Sequence, residues 1–298
     1  MNRALGGVPL EILAALAAAP LVSCEPLLDV PAPGAAHDPA GSIVRIVTWN
    51  VHDLFDADDR LLPPGAEDDV PSAAEVDAKL DEVAAVLARL AADVVLLQEV
   101  ETRALAVELG ARAGYGDARL VEGNDPRGID VAVLSRTAIS RYVSHAAERD
   151  GAGRLLWPRD CVEVHLEASG QRIAIVGSHL SSRLSDDGTR RAAQASRMRA
   201  IADAIAAADP SALVLAGGDL NDPPSAPAIA ALAGDGAYLD PLPPEATTWS
   251  SGARAERLDA LLVARNGAGA IVRAAVEPGL DVARASDHQP VVLDLRLP

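Results

Sequence analysis

One pattern occurs twice in this chain, and it limits the fold more than any other feature. A helix runs into an apolar strand that ends in a carboxylate. In the first copy, Val76, Leu80, Val83, Leu87 and Leu90 stand at helical spacing and lead into Ala92-Asp93-Val94-Val95-Leu96-Leu97-Gln98-Glu99. Ser72 and Glu75, at capping-box spacing, mark where this helix starts. The second copy is a long helix over 189–208, expected to be capped at Thr189, followed by a buried strand from Ser211 to Asp219. The repetition points to two sheets packed face to face with helices outside, and polar residues at the strand ends meeting on one rim.

Further strands are expected over Ile43 to Asn50, Ile129 to Leu134, Asp160 to Leu166, Arg172 to His179, Arg257 to Val263 and Pro290 to Leu297, with a helix over 102–113 and a loop over 53–71. Cys161 falls in an alternating polar–apolar run and reads as a core thiol.

The chain begins differently. After Arg3, residues 12–23 form an apolar stretch of signal-peptide length, too short for a transmembrane helix. It ends in Leu21-Val22-Ser23-Cys24, which resembles a bacterial lipobox. The expectation is a lipoprotein-type signal peptide at 1–23 with Cys24 lipidated, a Pro/Gly-rich tether at 24–42, and a folded domain at 43–298. The protein would then be exported and anchored to a membrane, facing the periplasm or cell exterior.

Charge bears on the partner. The formal net charge is −17. Long duplexes are gripped mainly through phosphate contacts to a basic face, so this balance argues against an extended nucleic-acid track. A local cluster would suffice for a nuclease, and Arg183, Arg190 and Arg191 lie shortly after His179.

The strand ends carry the chemistry. Asn50, Glu99, His179, Asp219, Asn221, Asp259, Asp287 and His288 all stand at or beside the end of an apolar run. Carboxylates and amides offer the oxygens a hard divalent cation takes. Histidines beside them suit proton transfer and hydrogen bonding to phosphate. No Cys/His spacing of a zinc site is present.

In chain order, Thr48-Trp49-Asn50, Leu97-Gln98-Glu99-Val100, Gly128-Ile129-Asp130-Val131-Ala132-Val133-Leu134-Ser135-Arg136, Ser178-His179-Leu180, Gly218-Asp219-Leu220-Asn221-Asp222, Arg257-Leu258-Asp259 and Ser286-Asp287-His288-Gln289-Pro290-Val291 resemble the motif series of the endonuclease/exonuclease/phosphatase superfamily. The resemblance spans residues 43–298. It implies an α/β fold, a four-layer sandwich of two packed mainly antiparallel β-sheets flanked by helices. It also implies a monomer that hydrolyses phosphodiester bonds by in-line attack of an activated water, with Mg²⁺, or Mn²⁺ or Ca²⁺, as cofactor.

Roles follow from the same resemblance. Glu99 is the principal metal ligand, with Asn50 and Asp287 close by. His288 acts as base or orients water, and Asp259 holds its imidazole. Asp219 and Asn221 bind phosphate, position water or hold a second metal. His179 donates to the phosphoryl or leaving-group oxygen. Apart from the resemblance, Arg183 and Arg191, by their position after His179, read as candidates for substrate phosphate or as part of a solvated helix start. His52 stands where abasic-site endonucleases carry an Asp, and His179 where they carry a Tyr, which turns the reading away from abasic-site repair. His52 reads as a plain loop residue, Asp130 as a strand cap or an orienting group, and Trp249 as lining the cleft or packing.

Three functions are then in play. The first is an exported nuclease. The second is a phospholipase-C or sphingomyelinase-like phosphodiesterase, or a phosphomonoesterase on a small phosphoester. The third is a binding module without catalysis, which would require loss of site residues that are all present.

Overall fold

The computed structural model describes residues 42–58, 70–186 and 188–298. The expected signal peptide, Cys24 and nearly all of the tether lie outside the described residues. In chain order the elements begin with β1 (Ile43–Leu54), α1 (Ala73–Leu90), β2 (Val94–Val100), α2 (Arg103–Ala113), β3 (Asp117–Arg119), β4 (Asp130–Ser135) and β5 (Ile139–Ser144). They continue with β6 (Cys161–Ala168), β7 (Gln171–His179), α3 (Thr189–Ala208), β8 (Leu213–Asp219), α4 (Pro227–Ala233) and β9 (Tyr238–Leu239). The last are β10 (Trp249–Ser251), β11 (Arg254–Glu256), β12 (Asp259–Ala264), β13 (Ile271–Val276), α5 (Leu280–Ala285) and β14 (Val291–Arg296), with a short 3₁₀ turn between β12 and β13.

Two six-stranded sheets result, ordered β13-β14-β1-β2-β4-β3 and β5-β6-β7-β8-β12-β9. Each has one parallel pair at its centre, β1 with β2 and β7 with β8, and every other pairing is antiparallel. The repeat in the sequence is therefore a repeat in topology: the α1–β2 and α3–β8 units each feed the second strand of a central parallel pair.

Strand alternation builds the layers. In β1, Val44 and Ile46 face the opposite sheet, while Val47, Trp49 and Val51 face the helices. In β2, Val94 and Leu96 point inward and Val95 and Leu97 outward. The inner faces meet in a core containing Val164, Ile175, Leu215 and Leu261. Leu80, Val83, Leu87 and Leu90 of α1 cover the first sheet, and Met198, Ile201 and Ala202 of α3 cover the second. Leu87 is fully buried, and truncating such a side chain to Ala costs about 2–5 kcal/mol.

The capping box of α1 forms as expected, with the Ser72 side chain accepting from Glu75 N and the Glu75 side chain accepting from Ser72 N. Two boundaries differ from expectation. The residue capping α3 is Gly188, in the left-handed region at φ 101°, and Thr189 is the first helical residue. Strand β1 continues to Leu54 across what reads as loop, because it resumes pairing with β2 after an irregularity between Asn50 and Leu54. Cys161 is buried in the core, where burial pushes its thiol well above the ordinary range. Among the described residues, no helix is long and apolar enough to cross a membrane.

Candidate active site

The two central parallel pairs deliver the site. β1 and β2 carry Asn50 and Glu99 where their regular pairing breaks, and β7 and β8 end at His179 and Asp219, which are register partners. β12 begins at Asp259, itself paired with Asp219. Both sheets thus present their polar ends to one rim.

Local backbone irregularities aim the side chains. Glu99 lies in a register shift of the β2–β4 ladder with φ 64°. A bulge of this kind turns a residue out of strict alternation, and bulges gather beside active sites. His52 and Asp53 are consecutive left-handed residues at φ 55° and 53°, and Asn221 is another at 53°. Such conformations are costly for side-chain-bearing residues and persist where neighbours enforce them. Before Asp219 the backbone packs so tightly that a Cβ on Gly218 would lie 2.0 Å from the Ser178 carbonyl oxygen.

Asn50 joins the two sheets. Its amide nitrogen donates to Glu99 Oε1 at 3.0 Å and to Asp219 Oδ2 at 2.9 Å. Its oxygen accepts from His52 N at 2.9 Å. Asn50, expected among the metal ligands, uses both ends of its amide to hold other site groups. Glu99 Oε2 accepts from Asp53 N at 3.0 Å. Burial opposes ionisation of Glu99, but His179, Asn50, the Asp53 side chain and Arg127 outweigh it and hold the carboxyl at about 2.

Behind Asp219 stands a buried histidine dyad. His288 Nδ1 lies 2.8 Å from Asp259 Oδ2, and Nε2 lies 3.9 Å from Asp219 Oδ2. Thr248 locks Asp259: its hydroxyl donates to Oδ2 at 2.6 Å and accepts from Leu258 N and Asp259 N. Burial alone would favour neutral His288, but the charges of Asp259 and Asp219 win and raise it to about 10. Burial, then the Asp259 charge, pushes Asp219 up to about 7. His288 is therefore protonated at neutral pH and set to donate, while Asp219 titrates where a general base is useful. The neighbouring Arg257 pairs with Asp240 rather than with Asp259.

His179 Nε2 lies 3.4 Å from Asp219 Oδ2 and 4.0 Å from Glu99 Oε1. Burial, helped by the Arg159 charge, holds its imidazole well below the ordinary range, so it acts as a neutral donor. Asn221 N donates to Asp219 Oδ1 at 2.9 Å, and the Asn221 amide donates to Leu180 O at 3.0 Å. Asp287 Oδ2 accepts from Trp249 Nε1 at 2.7 Å, and its Oδ1 faces His52 Nδ1 at 3.0 Å.

Glu99, Asn50, His179, Asp219, Asn221, Asp259, Asp287 and His288 are thus joined in one network. The arginines named from the sequence are elsewhere engaged. Arg191 is buried between Asp222 and Asp186, and Arg183 pairs with Glu256 at 2.7 Å. Arg191 in particular is no free phosphate donor, because α3 folds its guanidinium against two aspartates. Asp130 sits away from this network, accepting from Gly123 N at 2.7 Å. His145 is mostly enclosed between Glu148 and Glu163.

Sequence reasoning passes over Asp53 and Arg127 and undervalues His52. Ligand atoms of His52, Asp53 and Glu99 lie within 4.8 Å of one another, and those of Asp219, Asp259 and His288 form a second such group. Burial, then the facing charge of Glu99, pushes Asp53 up to about 6. Two carboxylates crowded in a desolvated place call for a cation, so these residues fit a divalent metal. Arg127 reaches the same place, 3.4 Å from Asp53 and 3.9 Å from Glu99. The available signal was position: His52 and Asp53 directly follow Asn50.

Comparison with known proteins agrees with this geometry. The endonuclease/exonuclease/phosphatase family matches residues 47–288. A search of curated protein sequences gives no match. Among solved structures, TDP2 from Caenorhabditis elegans superposes with a TM-score of 0.62 at 17% identity, covering 86% of this chain and 75% of that one. The human Nocturnin catalytic domain gives 0.62 at 17%, covering 85% and 93%. Sphingomyelinase C from Streptomyces griseocarneus gives 0.56 at 21%, covering 86% and 100%. The match over residues 47–288, with the two-sheet fold, places this chain in the endonuclease/exonuclease/phosphatase family of metal-dependent phosphoester hydrolases.

Proposed function

We propose that this protein is a divalent-metal-dependent phosphodiesterase in which Asp219 is the base and His288 the charge-stabilising acid. The observation that carries this reading is the chain from Asp259 through His288 to Asp219, buried and fixed by Thr248 and Asn221. Glu99 and Asp53 would hold the cation. When bound, it supplies polarisation of a phosphoryl oxygen and neutralises charge there.

This chain's own groups do the rest. Asp219 Oδ2 takes the proton of the attacking water, and Asn50 and Asn221 keep that carboxylate aimed. The His288 imidazolium faces the charge that develops on phosphorus-bound oxygen. His179 donates from Nε2 to the phosphoryl or leaving-group oxygen. Arg127 offers a cation at the mouth for the substrate's phosphate.

The favoured substrate is a small phosphodiester, including a lipid head group, rather than a long nucleic acid. Arg183 and Arg191, the arginines on which a nuclease reading relied, are occupied by Glu256 and by Asp222 and Asp186. The net charge of −17 points the same way. The exported nuclease is the second reading, resting on local contact through Arg127. Export and lipidation at Cys24 are proposed from residues 12–24, and palmitate labelling lost in Cys24→Ala tests them.

The deciding experiment is hydrolysis by the full chain with Mg²⁺ or with EDTA. The panel is bis-p-nitrophenyl phosphate, sphingomyelin, inositol phosphates, plasmid DNA and RNA. Metal-dependent turnover of small or lipid phosphodiesters with intact plasmid is expected. Plasmid nicking would move the assignment to the nuclease.

A further inference from the structure

His52 differs in kind from the other groups at the cation site. It adds an imidazole to a candidate ligand group whose other two members, Asp53 and Glu99, offer carboxylate oxygens, and it is held there. Its Nδ1 faces Asp287 Oδ1 at 3.0 Å, and Trp249 Nε1 pins the other oxygen of Asp287 at 2.7 Å. The backbone beneath is pinned as well: His52 N donates to Asn50 Oδ1, and Lys79 Nζ donates to the His52 carbonyl at 2.7 Å. A ring nitrogen of His52 lies within 4.8 Å of ligand oxygens of both Asp53 and Glu99.

A carboxylate that engages one imidazole nitrogen fixes the ring's orientation and tautomer and leaves the other nitrogen for a metal. Here the carboxylate has its own fixed donor, so the support runs two residues deep.

We propose that His52 is a nitrogen ligand to the catalytic cation, positioned by Asp287 and Trp249, and that the site consequently favours a transition ion that accepts nitrogen, such as Co²⁺ or Mn²⁺, over Mg²⁺. The inference deepens the metal-dependent reading above and rests on it. Imidazole suits transition ions, whereas Mg²⁺ takes oxygen and keeps its waters, so a histidine ligand adds affinity for one class and little for the other.

The test reads binding directly. Mn²⁺ and Mg²⁺ affinities are measured calorimetrically on the full chain for wild type, His52→Ala, His52→Asp and Glu99→Gln, with circular dichroism to confirm folding. Electron spin-echo modulation of bound Mn²⁺ reports whether nitrogen is coordinated. Wild type is expected to show ¹⁴N modulation that His52→Ala removes. That variant should lose at least the roughly tenfold in Mn²⁺ affinity that residues merely supporting a ligand supply, with Mg²⁺ affinity nearly unchanged. His52→Asp, restoring an oxygen donor, should shift the preference toward Mg²⁺. Nitrogen modulation that survives in His52→Ala would overturn the proposal, as would equal losses for both ions. If wild type bound neither ion, and Glu99→Gln behaved identically, both this inference and the metal-dependent reading would fail. Loss of binding in Glu99→Gln alone, with His52→Ala like wild type, would sink only this inference.

Discussion

Replacing Asp259 by Asn should produce a defect that depends on pH. Asp259 lies fully buried against His288 Nδ1, and its charge is the first of the influences raising His288 to about 10. Asparagine keeps the shape and an oxygen for the Thr248 hydroxyl, but removes the charge. Burial then opposes the remaining charges of Asp219 and Asp287, which lowers His288 from about 10 toward the ordinary histidine value of about 6.5. At that value the protonated fraction at pH 8 is about 3%, so kcat/KM there should drop about 30-fold, with recovery to within a few-fold of wild type at pH 5.5. In wild type, by the same reasoning, activity should not fall through loss of the His288 proton until pH approaches 10. The assay is kcat/KM for bis-p-nitrophenyl phosphate from pH 5 to 9 at saturating metal, with thermal melts to show that the variant folds. A loss of equal size at every pH would refute the argument, because it would mean that Asp259 acts on geometry alone.

Three further outcomes follow from the same geometry. Gly218→Ala should destabilise the fold by more than about 3 kcal/mol in denaturant melts, since its Cβ would meet the Ser178 carbonyl and its φ is 133°. Asp130 is pushed up to about 8 by burial, the nearby Asp160 adding to it, so the folded state keeps a proton that the unfolded chain releases near pH 4. Its contribution is full at low pH and is lost as pH rises through about 8; Asp130→Asn should flatten that fall in melts between pH 5 and 9. Arg127→Ala should raise KM several-fold more than it lowers kcat, because Arg127 reaches the mouth of the site and not the Asp219–His288 pair; an effect confined to kcat would count against its role in binding.

How far the sequence reveals this molecule depends on whether a feature is local. The strands carrying Glu99 and Asp219 are long apolar runs, and the capping box at Ser72 spans four residues, so both are legible. The network at the strand ends is legible as a set because each member closes such a run. What escapes is set by tertiary contact. Thr189 looks like a cap, but the left-handed turn belongs to Gly188. Arg191 looks like a free cation at a helix start, yet Asp222, distant in sequence, claims it. His52 and Asp53 look like loop residues because their left-handed backbone, which returns them to Glu99, leaves no periodicity to read. Short edge strands such as β3 and β5 escape for the same reason: partners in β4 and β6 define them.

The most direct test of the account is to measure hydrolysis of bis-p-nitrophenyl phosphate by the full chain and its Glu99→Gln and Asp219→Asn variants, each with Mg²⁺, with Mn²⁺ and with EDTA. The account predicts turnover by wild type with metal only. It also predicts a loss of at least about 100-fold in each variant, the lower range for removing a catalytic acid–base group, with unchanged melting curves. Wild-type turnover in EDTA, or folded variants as active as wild type, would contradict it.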